Sequence, residues 1–201
     1  MMTKKEKNEL FKLVAHRNEH LKGSRFWNIL EYLITLLLMI VLAFSIRAVL
    51  FEPMRVKGSS MENTLLPGDY MAVEKLSYIV KPMERGDVVI CYYPNNDEYT
   101  GVKRVIGLEG DTITIEDGVV SVNGVTLRED YVTTGMTSRH DGTYQVSPGC
   151  IFVIGDNRLV SRDSTDGEVG SIPRERVIGR VRRVLLPFSR AKKLESIDYG
   201  V

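Results

Sequence analysis

Two residues of this chain have the types and the setting for covalent chemistry: Ser60, followed by Met61, and Lys103, followed by Arg104 about forty residues further on. A serine hydroxyl is a weak nucleophile until a neighbouring base takes its proton. An amine can be that base only while uncharged, which requires a site that excludes water and so penalises the ammonium. Lys103 lies in Gly101-Val102-Lys103-Arg104-Val105-Ile106-Gly107, a strand-like run with apolar neighbours and therefore a packed face. Taken singly, a strand lysine is a solvated edge residue and Gly58-Ser59-Ser60-Met61 is a turn. Taken together they describe a Ser/Lys pair for acyl transfer, in which Gly58 permits the close backbone approach of an oxyanion site.

Histidine is the usual partner of a reactive serine, and here it is poorly placed. His16 and His20 precede a long apolar span, and His140 stands in a polar loop beside Asp141, where an exposed loop histidine is the simpler reading. A third polar segment, Gly155-Asp156-Asn157-Arg158-Leu159-Val160-Ser161-Arg162-Asp163-Ser164, follows the apolar run Cys150–Ile154. It presents polar side chains at a strand end, or is a turn held by Asx-type hydrogen bonds.

These segments need a frame to position them. Between Tyr32 and Ile46 no residue is charged, and the stretch 27–51 has the length of a membrane-crossing helix. A core helix of this length is not apolar on every face. A cleaved signal peptide has a shorter apolar region and small residues at its exit, unlike Arg47-Ala48-Val49-Leu50-Phe51. The span reads as an uncleaved anchor with Trp27 and Tyr32 at an interface. Eight Lys/Arg against four Asp/Glu lie up to Phe51, most of the cations ahead of the span. The positive-inside bias makes residues 1–26 a cytoplasmic tail and residues 52–201 an extracytoplasmic domain, with a single pass of the cell membrane between them. In the tail, Leu10, Phe11, Val14 and Leu21 have near-helical spacing, compatible with an amphipathic helix or with a disordered segment.

The outer domain reads as mainly β. Candidate strands are 70–73, 87–93, 101–106, 112–115, 119–122, 150–154 and 177–185, with Asp117-Gly118 and Asn123-Gly124 as tight hairpin turns. Residues 94–100 and 133–143 read as loops. Leu185-Leu186-Pro187-Phe188 either closes the core, the preferred reading, or touches lipid. Cys91 and Cys150 read as two small buried side chains rather than a disulfide. A net charge of +1 argues against nucleic acid as partner. With no CxxC, no ligand-spaced carboxylates and no phosphate loop, neither metal nor cofactor is expected.

In combination the segments resemble type I signal peptidases, membrane-bound Ser/Lys endopeptidases. The resemblance spans about residues 51–179 and rests on four stretches in the family's order: Ser60-Met61-Glu62-Asn63-Thr64-Leu65; Leu66-Pro67-Gly68-Asp69; Arg85-Gly86-Asp87-Val88-Val89 with Lys103-Arg104-Val105-Ile106-Gly107-Leu108-Glu109-Gly110-Asp111; and Gly155-Asp156-Asn157-Arg158 with Ser161 and Asp163-Ser164. It implies Ser60 as nucleophile and Lys103 as general base. It further implies Ser161 hydrogen-bonding the lysine amine, Asp156 and Asp163 as shape-holding acids with Arg104 as a partner, and Met61 on the substrate-binding surface. The implied fold is an antiparallel β-sheet catalytic domain behind one transmembrane helix. The implied substrates are exported preproteins cut after a small-x-small sequence at the bilayer surface. Oligomeric state is left open.

Three positions depart from the family pattern: Asn63 where proline is usual, Thr165 where arginine often follows Asp-Ser, and Gly58 where some relatives carry a hydroxyl. The second removes an expected partner of Asp163, for which Arg158 or Arg162 could substitute. A soluble self-cleaving Ser/Lys regulator is disfavoured by the anchor. A non-hydrolytic member assisting assembly of surface proteins is the alternative from another class; its mark would be loss of the serine or the lysine.

Overall fold

The structure is a computed structural model and describes residues 5–9, 11–12, 25–76, 78, 81–94, 96–132 and 140–200. The chain separates into two units, 1–48 and 49–201.

The first unit is dominated by α1 (Arg25–Leu50). Its Leu- and Ile-rich sequence contains neither Gly nor Pro, so nothing interrupts propagation of the helix. Its 26 residues span roughly 39 Å at about 1.5 Å per residue, against roughly 30 Å for a bilayer's hydrocarbon core. Within it, Trp27–Ser45 is long and apolar enough to cross a membrane and none of it is buried, unlike a core helix. The two aliphatic hydroxyls in this stretch bond back along the helix, Thr35 to the Glu31 carbonyl and Ser45 to that of Val41, both at 2.8 Å. In the tail, residues 5–9 and 11–12 are helical and Phe11 is exposed; Leu10, Val14 and Leu21 lie outside the described residues.

The second unit is built from antiparallel strands. In chain order they are β1 (Phe51–Arg55), β2 (Tyr70–Glu74), β3 (Val88–Tyr93), β4 (Asn96–Leu108), β5 (Thr112–Glu116), β6 (Val119–Val122), β7 (Val125–Thr126), β8 (Gly142–Gln145), β9 (Cys150–Ile154), β10 (Ile172–Pro173), β11 (Val177–Leu186) and β12 (Lys192–Lys193). The large sheet runs β1-β2-β11-β3-β4-β9-β10, with β12 also on β11; the small sheet runs β7-β6-β5-β8. Alternation along β5 and β6 puts Ile113, Ile115, Val120 and Val122 on one buried face, where they pack against Ile106, Phe152 and Ile154 of the large sheet. Gly107 makes that approach possible, because a Cβ there would stand 2.6 Å from Ile113 Cδ1. The two hairpin turns are as expected, with positive φ at Asp117, Gly118, Asn123 and Gly124.

Three expectations need correction. Residues 96–100 are not loop but the start of β4, with Tyr92 opposite Thr100 and Tyr93 opposite Asn96. The Tyr93 and Tyr99 rings pack 5.0 Å apart across this strand end, where Tyr99 and Thr100 are exposed. Residues 142–143 belong to β8 rather than to a loop, while 133–139 lie outside the described residues. Leu185, Leu186 and Phe188 do not close the core: Leu186 sits opposite Tyr70 at the sheet's end and Phe188 is 86 % exposed. Cys91 and Cys150 are both free thiols, but only Cys91 is buried; Cys150 is half-buried.

Candidate active site

Ser60 is carried by the connection from β1 to β2. Its neck is closed by two backbone bonds, Val56 N–H to the Asp69 carbonyl (2.8 Å) and Gly68 N–H to that of Val56 (2.9 Å). Inside it a short turn follows the serine, with Thr64 and Leu65 donating to the Met61 carbonyl at 3.0 and 2.8 Å. Met61 and Leu65 anchor the turn in the core. At Asn63 the backbone takes φ +92°, a left-handed conformation that asparagine tolerates and proline cannot enter.

Lys103 lies on β4, opposite Val89 of β3, and is 2 % exposed. Its Nζ is 2.8 Å from Ser60 Oγ and also donates to the Val102 carbonyl at 3.1 Å. Burial lowers its pKa, opposed by the charges of Asp163, Cys91 and Asp156. A neutral amine at this separation can accept the Ser60 proton, which is what a general base must do. The next strand residue, Arg104, faces the other way. Its Nε and Nη2 grip Asp156 at 2.9 and 2.7 Å, and its Nη1 donates to the Gly86 carbonyl at 2.9 Å. Thr64 Oγ1 donates to the same carboxylate, and the Tyr131 ring lies 4.0 Å from the guanidinium carbon.

The segment after β9 closes the site from the other side. Asn157 N–H donates to the Ser60 carbonyl (2.9 Å), and its Nδ2 to the carbonyl of Ser59 (3.2 Å). Gly155 lies so close that a Cβ there would stand 2.5 Å from the Ser60 oxygen and 2.3 Å from Ser161 Oγ. Asp163 Oδ2 accepts from Gly155 N–H at 2.9 Å, and its Oδ1 accepts from Thr165, so the acid ties the segment to itself.

The residues singled out from sequence thus converge, with one correction. Ser161 is buried, but its hydroxyl makes no hydrogen bond, so the expected bond to the lysine amine is not formed. The cause is geometric: Lys103 Nζ is turned toward Ser60 Oγ and the Val102 carbonyl. Met61 is 1 % exposed and lines the floor of a groove. Neither Arg158 nor Arg162 replaces the expected partner of Asp163. Arg158 pairs with Glu129, and Arg162 with Asp166 and Glu168. His140 is exposed and does not line the groove.

That groove, about 370 Å³, runs from Met54 and Val56 to Tyr99 and Val102 and reaches Ser60 and Lys103. Beside it, β3 pairs with β4 from Asn96 to Arg104, whereas β9 pairs only from Arg104 onward. The outer edge of 100–103 is therefore left uncovered by β9. Thr64 and Gly155 lie in stretches singled out from sequence but were given no role there, and Tyr131 is a part of the site that no sequence pattern marked.

Comparison with known proteins gives a consistent picture. The family profile described as signal peptidase, peptidase S26, matches residues 29–186. Signal peptidase I of Bacillus licheniformis is 36% identical over 192 residues, 91% of this chain and all of that protein. Signal peptidase I T of Bacillus subtilis (strain 168) is 35% identical, over 82% of this chain and 89% of its own length. Signal peptidase IB of Staphylococcus aureus (strain COL) is 33% identical, over 82% and 93%. A crystal structure of a signal peptidase I from Enterococcus faecalis V583 covers 52% of this chain and 97% of that one, at 32% identity and a TM-score of 0.43.

Proposed function

The chain belongs to the signal peptidase family, peptidase S26, and we propose that it exercises that family's serine endopeptidase activity through Ser60 as nucleophile and Lys103 as general base. Signal peptides of exported preproteins are its substrates. The observation that carries the assignment is the 2.8 Å contact between Ser60 Oγ and the amine of a lysine that burial holds toward its neutral form.

Ser60 Oγ attacks the scissile carbonyl carbon as its proton passes to Lys103 Nζ. The C–N bond then breaks, and the protonated lysine supplies the proton that lets the mature protein leave as an amine. Water, deprotonated by the same lysine, hydrolyses the Ser60 acyl ester and releases the signal peptide as an acid. Backbone donors that include the Ser60 N–H hold the oxyanion in both steps. The substrate adds as an extended strand along residues 100–103, with its side chains directed into the groove. The small-x-small preference before the cut is what the family implies, with Met61 at the floor of the groove that takes those side chains. Asp156, Asp163 and Arg104 hold the site's shape. Ser161, without a protein partner, is placed to accept a bond only after rearrangement.

The apolar helix anchors the chain in the cell membrane, as an N-terminal apolar helix suits this family. The cationic tail faces the cytoplasm and the β domain the outside, a reading supported by the charge bias flanking the span. The assembly role without hydrolysis has no support, because Ser60 and Lys103 are both present and in contact.

Cleavage of a detergent-solubilised preprotein, with the cut site read by mass spectrometry, tests the assignment. One cut after a small-x-small sequence, lost in Ser60→Ala and in Lys103→Met, is expected. Full cleavage by either variant would refute it.

A further inference from the structure

The Arg104–Asp156 pair joins two residues that each neighbour a working contact. Arg104 follows Lys103 on β4, and Asp156 precedes Asn157, whose N–H holds the Ser60 carbonyl. Its alignment therefore sets how β4 stands against the segment that fixes the serine. Residues 195–200, far along the chain after β12, reach this pair by two routes. The first is Gly86. Arg104 Nη1 donates to its carbonyl, and the Ile197 backbone crosses its other side so tightly that a Cβ on Gly86 would lie 2.2 Å from the Ile197 oxygen.

The second route is Tyr199. The Tyr131 ring covers the Arg104 guanidinium, and the Tyr131 hydroxyl bonds both Glu129 Oε1 and, at 2.6 Å, the Tyr199 hydroxyl. An ionised carboxylate only accepts, so Tyr131 gives its single proton to Glu129. The proton shared by the two phenols must then come from Tyr199. The chain of bonds has one direction, from Tyr199 to Tyr131 to Glu129, where Arg158 also donates. Beneath residues 196–199 lies a cavity of about 330 Å³ bounded by Glu84, Arg85 and Leu108. The segment bridges this space and is held at Gly86, at Tyr131 and by the packing of Tyr199 against the core cluster of Ile106, Phe152 and Ile154.

We propose that residues 195–200 form a latch that keeps the Arg104–Asp156 pair, and with it Ser60 and Lys103, in the reactive arrangement, with Tyr131 and Tyr199 as positioning residues. This rests on the assignment of Ser60 and Lys103 made above. Releasing the latch lets water reach the buried amine, raises its pKa toward that of an ordinary lysine and slows the chemical step, while the groove that binds substrate is untouched.

The test compares the full chain with Tyr199→Phe, Tyr199→Ala and Ser60→Ala in preprotein cleavage, reading kcat, KM, the acid limb of the pH profile and Tm. Tyr199→Phe, which removes one oxygen, lowers kcat about fivefold, the scale of one lost hydrogen bond. KM stays within about twofold, and the acid limb moves to higher pH. Tyr199→Ala does the same more strongly. Should Tyr199→Ala fail to fold, Tyr199→Phe alone decides. Wild-type kcat and an unmoved acid limb in Tyr199→Phe, whatever its Tm, would overturn the latch. Cleavage that survives Ser60→Ala would instead overturn the site assignment, and the latch with it.

Discussion

Thr165 donates both its backbone N–H (3.1 Å) and its hydroxyl (2.7 Å) to the same oxygen of Asp163. From sequence, threonine at this position removes an expected cationic partner of the acid. The structure replaces that distant cation with two local bonds, leaving the Asp163 charge uncompensated by any arginine among the described residues. That charge raises the pKa of Lys103 against the effect of burial.

Asp163→Asn is therefore expected to lower the Lys103 pKa further. Since only the neutral amine accepts the serine proton, the acid limb of kcat/KM should move to lower pH. The amide keeps only one acceptor oxygen, so either the Gly155 N–H bond or the Thr165 bonds are lost, and stability should fall by about 1–3 kcal/mol. A pH–rate profile combined with urea denaturation reads both effects; an acid limb displaced upward would contradict the argument.

Lys103 itself opposes folding at neutral pH. Its folded pKa lies below its unfolded value, so between the two the unfolded chain binds the extra proton and stability rises with pH. Above the ordinary lysine pKa this penalty vanishes; below the depressed one it is complete. Lys103→Met is expected to abolish cleavage while raising Tm at neutral pH by about 2–4 °C. The gain should shrink as pH rises toward the ordinary lysine range. A thermal scan at two pH values checks this.

Gly155→Ala places a methyl group against the Ser60 carbonyl and Ser161 Oγ. Neither backbone nor a buried side chain can withdraw freely, so a loss of about 1–3 kcal/mol is expected. Displacing the serine also lowers kcat, by at least about tenfold for a misplacement on the scale of an ångström. Unchanged kcat in a folded variant would show the segment to be more yielding than its packing implies.

Asn63 separates this chain from the usual pattern in a testable way. With φ at +92°, Asn63→Gly should be neutral within about 0.5 kcal/mol. Asn63→Pro should cost about 3 kcal/mol or force the turn into another path. Denaturant midpoints of the two variants measure the difference; a proline variant as stable as the parent would mean that the turn adopts two paths with equal ease.

Much of this could be read from residue types. Alternation at Thr112–Glu116 and Val119–Val122 located the small sheet, and the family resemblance carried by four segments in order implied that Ser60, Lys103 and Asp156 share one site. What was not legible depends on distances in space. Composition marks residues 96–100 as loop, and their backbone pairing with Tyr92 and Tyr93 across the sheet makes them strand. Leu185, Leu186 and Phe188 look like core, yet the sheet ends beneath them. Tyr131 and Tyr199 meet across 68 residues of chain, and no periodicity announces such a bond.

Lys103 and Arg104 are consecutive on one strand, and alternation sends them to opposite faces. The working amine and the structural guanidinium thus differ by one step of the ladder. If β4 slipped by one residue against β3, either Arg104 or Val102 would stand before Ser60, according to the direction of the slip, and the amine would leave the serine. A chain misaligned in this way would be stranded but silent, since neither a guanidinium nor a valine can take up the serine proton. Catalytic turnover in this protein is therefore also a report on strand alignment, counting only the molecules whose β4 folded in frame.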